Sequence, residues 1–120
     1  MFKEALQGVV DKTDGGLAGL LMDFEGIPLE TYVRDETELD IEVVGAEVSV
    51  IVKAIQRATE MLDAGGTQEV SFRSEKVVTL IRVLNDNYFI ALTLSTDGNL
   101  GKARYLMRVA APDLKRELSF

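Results

Sequence analysis

The chain has 120 residues, 47% of them apolar, and a net charge of −7, which suits one domain built on one core. It has no cysteine and no histidine, so disulfides, thiolate metal sites, cysteine nucleophiles and the commonest general base are excluded. The negative balance repels phosphate backbones and argues against nucleic acid as the main ligand.

Residues 2–12 read as a helix, with Phe2, Leu6, Val9 and Val10 at helical spacing, and the run from Thr13 to Gly16 ends it. Charges interrupt the apolar residues of this stretch and no small-residue cleavage site follows, so it is not read as a signal peptide. No apolar run is long enough to span a bilayer, and a cytoplasmic protein is expected. Residues 17–23 form a short apolar run that suits a strand buried on both faces, with Gly19 marking a bulge or a close contact. A turn at 24–26 leads into a return strand at 27–33, where Pro28 points to a sheet edge or a strand start. Residues 34–39 are a polar loop, and Asp40 is the expected N-cap of a long helix that stops at Gly65-Gly66.

That helix is apolar over more of its surface than one sheet can cover. Val44, Val48, Ile51, Ile55, Ala58 and Leu62 form one stripe, taken to face the sheet. Val43, Val50, Ala54 and Met61 form a second stripe about 100° away, which needs either the 34–39 loop or another subunit to cover it. Residues 68–74 then alternate as a strand, with Val70 and Phe72 facing one way. If this strand lies at a sheet edge, a two-fold axis through it joins two copies and brings their long helices together. Strands at 77–84 and 88–95 follow, with a turn at Asn85–Asn87 expected to use residues tolerant of positive φ. A last helix begins at Gly101, and Pro112 is expected to kink or split it. The order α-β-β-α-β-β-β-α, with short links between strands, implies one antiparallel five-stranded sheet with helices on both faces and a single domain over 1–120.

Little in the chain suggests chemistry. Asp23-Phe24-Glu25-Gly26 has the D-x-x-G form of GTPase switch regions, but no phosphate loop accompanies it, so a hairpin turn is expected. The loop from Asp97 to Gly101 lacks the carboxylate spacing of a calcium site and reads as a turn and helix start. Asp35, Glu36, Glu38 and Asp40 cluster acids without an apolar pocket to raise their pKa, so no catalytic role is assigned to them. Phe24 is unusual at a hairpin tip. It either folds back over the sheet or joins Glu25 and Ile27 as an exposed knob for a partner protein.

Three segments together resemble the Roadblock/LC7 domains: the strand-turn-strand of residues 15–30, the long helix opening near Asp40 with Gly45-Ala46, and residues 94–107, where a strand leads through Asn99 and Gly101 into the last helix. The similarity runs the length of the chain and is strongest to the bacterial MglB-like subgroup, which regulates the Ras-like polarity GTPase MglA. The resemblance implies a profilin-like α/β/α sandwich of the α+β type with sheet order 2-1-5-4-3. It also implies a homodimer through the third strand and the long helix, here Val43, Val50, Ala54, Met61, Val70 and Phe72. It implies no cofactor, no metal and no catalytic residue. The expected role is a non-enzymatic adaptor in a cell-polarity and gliding-motility circuit, brought to cell poles by an MglB-like partner docking on Phe24, Glu25 and Ile27. Direct activation of an MglA-type GTPase is the alternative, disfavoured because the sequence shows no extra segments able to reach around a GTPase.

Overall fold

The computed structural model describes residues 1–34 and 40–119. The elements run α1 (Phe2–Lys12), β1 (Gly16–Asp23), β2 (Pro28–Val33), α2 (Ile41–Met61), β3 (Glu69–Arg73), β4 (Val77–Val83), β5 (Tyr88–Ser95) and α3 (Leu100–Glu117). The strands form one sheet in the order β2-β1-β5-β4-β3, and every neighbouring pair is antiparallel. β1, β4 and β5 are apolar along nearly their whole length because both of their faces are covered. β2 and β3 are the edges, and Pro28 opens β2, where its missing N–H removes nothing from the ladder.

Each face of the sheet has its own core. Leu21, Leu80, Ile90, Leu92 and Leu94 pack with Leu6, Val10, Ala103, Met107 and Leu114 of α1 and α3. On the opposite face Ala18, Leu20, Met22, Ile81, Phe89 and Ala91 pack with Ile41, Val48 and Val52 of α2. Gly19 is a close contact: a Cβ there would meet Val10 Cγ2 at 3.0 Å, so α1 lies close on β1.

The helix face turned to the sheet differs from the expected one. The buried residues of α2 are Ile41, Gly45, Val48, Ser49 and Val52. Of the anticipated stripe only Val48 is fully buried; Val44 and Ile55 are half-buried, and Ile51, Ala58 and Leu62 are exposed. Gly45 explains the rotation. A Cβ there would stand 2.7 Å from Met22 Cε, so the bare backbone lets α2 approach β1 at this point and turns the Gly45–Ser49 side inward. Ser49 tolerates burial because its hydroxyl donates to the Ala46 carbonyl at 2.7 Å.

α3 is not split: it runs unbroken with Pro112 inside it. Pro112 and Arg108 are both exposed, on the side where the carbonyl that loses its donor can be hydrated. The Asn85–Asn87 turn uses no positive φ; instead Asn85 Oδ1 accepts from the N–H groups of Asn87 and Tyr88 at 2.8 and 2.9 Å. Asn99 Oδ1 accepts from Lys102 N–H at 3.0 Å, so the 97–101 segment is the turn and N-cap the spacing indicates.

Candidate interaction surfaces

Positions two residues apart on a helix lie about 200° apart around its axis, so burying Ile41, Gly45, Val48 and Val52 presents Val43, Val50 and Ala54 to the other side. Val50 is 61% exposed and Met61 87%, and Val43 and Ala54 are exposed with them. Ile51, Ala58 and Leu62, expected beneath the helix, join this outer stripe. The stripe therefore spans most of the 21-residue helix, with Glu47 the charged position within it. Such a continuous apolar strip is far less common on a monomer surface than scattered single residues.

β3 borders the same face of the sheet. Val70 lies opposite Ile81 and Phe72 opposite Thr79, so both point to the α2 side. α2 rests on β1 and β2, leaving β3 less covered: Val70 is half-buried and Phe72 is 39% exposed. Among the described residues β3 pairs with β4 on one edge and with no strand on the other. A hydrogen bond of 3.0 Å between the Thr59 and Thr67 hydroxyls ties the last turns of α2 to the approach to β3. All six residues expected at a dimer interface thus lie on the α2 side of the sheet, on two elements joined by one short connection.

The hairpin tip departs from the exposed knob. Phe24 is only 7% exposed, and its ring centroid lies 5.3 Å from that of Phe89 in the α2-side core. Its N–H donates to the Asn87 carbonyl at 3.1 Å, which fastens the tip to the β4–β5 turn. An aromatic ring at this turn finds a second ring within reach and buries itself. Asp23 Oδ1 accepts from the N–H groups of Glu25 and Ile27 at 2.9 Å each, and Gly26 takes φ +88°, so the D-x-x-G segment is a side-chain-closed turn. Glu25 and Ile27 do remain outside, Ile27 at 60% exposure, and Leu29 beside them is exposed as well. Leu29 falls at the register shift between β2 and β1, where Pro28 faces Met22 and Glu30 faces Leu21. That irregularity has no signature in the alternation of residues 27–33.

Asp40 caps α2, accepting from Val43 N–H at 3.3 Å, while Asp35, Glu36 and Glu38 lie outside the described residues. Among the described residues no group of acidic side chains is arranged to hold a metal ion, and no helix is long and apolar enough to cross a membrane.

One further place stands out electrostatically. Arg82 of β4 lies opposite Ile90 on the α1/α3 face, and its Nε is buried with no hydrogen-bond partner among the described residues. Leaving a buried donor unpartnered costs about 1–3 kcal/mol, and more for a charged group. Arg104 and Arg116, by contrast, pair with Glu69 and Asp113.

No family model matches the sequence, and no curated protein matches it. Among solved structures the chain is 40% identical to MglC from Myxococcus xanthus, over 95% of this chain and 96% of that one, with a TM-score of 0.69. It superposes on a Roadblock/LC7 domain from Streptomyces avermitilis with a TM-score of 0.88 at 13% identity, covering 98% of both chains. The gliding protein MglB from Thermus thermophilus gives a TM-score of 0.84 at 20% identity, over 94% of this chain and 84% of that one. The chain belongs to the Roadblock/LC7 family. Within that family it is MglB-like, with MglC as a relative at two identical residues in every five.

Proposed function

We propose that this protein is a non-enzymatic adaptor that works as a homodimer in the MglA/MglB gliding-motility circuit. The observation that carries the reading is the outer stripe of α2, where Val43, Val50, Ala54 and Met61 stand exposed beside an open β3 edge. Two copies related by a two-fold axis along β3 would continue the sheet and lay stripe against stripe, removing both features from water at once. The similarity to MglC and MglB supplies the circuit, and an MglB solved in a tetrameric arrangement supports assembly between Roadblock chains. Among the described residues these surfaces expose mainly apolar side chains, as a contact patch does.

The docking point for an MglB-like partner is the outer side of the first hairpin, with Glu25 and Ile27 as contacts and Phe24 as the buried support beneath them. Purified MglB-like protein titrated into wild type and into an Ile27→Asp variant tests it calorimetrically. Binding to wild type with loss in the variant supports the adaptor; equal binding by both removes the hairpin from the reading. The rival reading, direct activation of the MglA-type GTPase, draws on the likeness to MglB. GTP hydrolysis measured with and without this protein separates the two: an unchanged rate supports the adaptor, and a stimulated rate supports the activator.

A further inference from the structure

A cavity of about 360 Å³ opens where the C-terminal part of α2, the β3 and β4 ends, the β4–β5 turn and the last turns of α3 meet. Arg82 and Lys115 line it, with the amides of Gln56, Gln68 and Asn85 and one opposing carboxylate, Asp86. Neither cation makes an ion pair or a side-chain hydrogen bond among the described residues. Two positive groups therefore share one polar cavity in a chain whose net charge is −7. The guanidinium of Arg82 sharpens this. Its Nε is enclosed and out of a ligand's reach, so the edge that can grip two oxygens of a carboxylate or a phosphate with parallel hydrogen bonds is the one formed by the two terminal nitrogens of the guanidinium.

We propose that this cavity is an oxyanion site, with Arg82 as the bidentate clamp and Lys115 as the second charge, taking a carboxylate or a phosphate group. Gln56, Gln68 and Asn85 offer further amide donors around the wall, and Asp86 disfavours an approach from its own side. The site adjoins the first hairpin, because Asp86 lines both this cavity and the hollow beside Asp23, Phe24 and Glu25.

The test is an NMR titration of the intact chain with sodium phosphate and with a short acetylated oligoglutamate peptide, each against sodium chloride at equal ionic strength. Saturable shifts at the amides of Gln68, Asn85 and Lys115 are expected with at least one probe. Arg82→Gln should weaken that binding about tenfold, since charge-assisted bidentate bonds are lost. Arg82→Lys should restore it only in part, because an ammonium lacks the fork. Lys115→Gln, a change on an exposed helix position, gives a smaller weakening and decides the matter if Arg82→Gln does not fold. Saturation by phosphate alone assigns a phosphate ligand, and saturation by the peptide alone assigns a carboxylate. Shifts equalled by chloride, no saturation with either probe, or full affinity in the folded variants would overturn the proposal.

Discussion

The first hairpin and the long helix both carry apolar residues where a soluble domain usually shows polar ones, and they resolve the conflict in opposite directions. At the hairpin a single ring, Phe24, swings inward and finds Phe89. On α2 the stripe of Val43, Val50, Ala54 and Met61 stays outside. The difference is one of freedom. A turn can aim one side chain in several directions, whereas helical geometry locks the outer stripe opposite whatever face the sheet holds. Once Gly45 has drawn its side of α2 onto β1, no rotation can bury the other side without undoing the core. An isolated apolar residue at a loop is thus a weak sign of a partner, and a long stripe on a packed helix is a strong one.

The contrast can be broken most severely at Phe24. Removing a buried aromatic that packs on another ring should cost about 3–5 kcal/mol, so Phe24→Ala should unfold at clearly lower urea than wild type. An unchanged midpoint would return Phe24 to the surface. Gly45→Val should come next, at about 1–3 kcal/mol, because the new side chain overpacks against Leu20 and Met22. Its thermal midpoint tests whether that contact fixes the rotation of α2. Asp23→Ala removes an acceptor shared by two turn N–H groups at an exposed site, and a loss of about 1 kcal/mol in the same urea assay is expected. Met61→Ser should change the stability of the monomer, measured at high dilution, by no more than about 0.5 kcal/mol. A large loss there would mean that the helix end packs within the chain.

The element order, both helix layers and the antiparallel connectivity were legible because they rest on long periodic segments and short links. The exposed stripe was legible for the same reason. The covered face of α2 was misread because its contact is made by Gly45 and Ser49, which carry no hydrophobic signal, while the better-looking Ile51 and Leu62 point to water. Phe24 was ambiguous because its partner, Phe89, is distant in sequence and is brought near only by the pairing of β1 with β5. Arg82 gave no sign at all. A lone arginine in an alternating strand reads as a solvated position, and only the folded structure shows its Nε to be enclosed.

The central claim is that the outer face of α2 and the edge of β3 close against a second copy. Sedimentation equilibrium of wild type and of the double variant Val50→Glu/Met61→Glu tests it most directly, with urea unfolding of both under dilute conditions as the control for folding. The account predicts a wild-type mass of twice the 13.2 kDa chain and a folded variant at the mass of one chain. A wild type that stays at one chain mass as its concentration is raised, or a folded variant that dimerises as well as wild type, would contradict it.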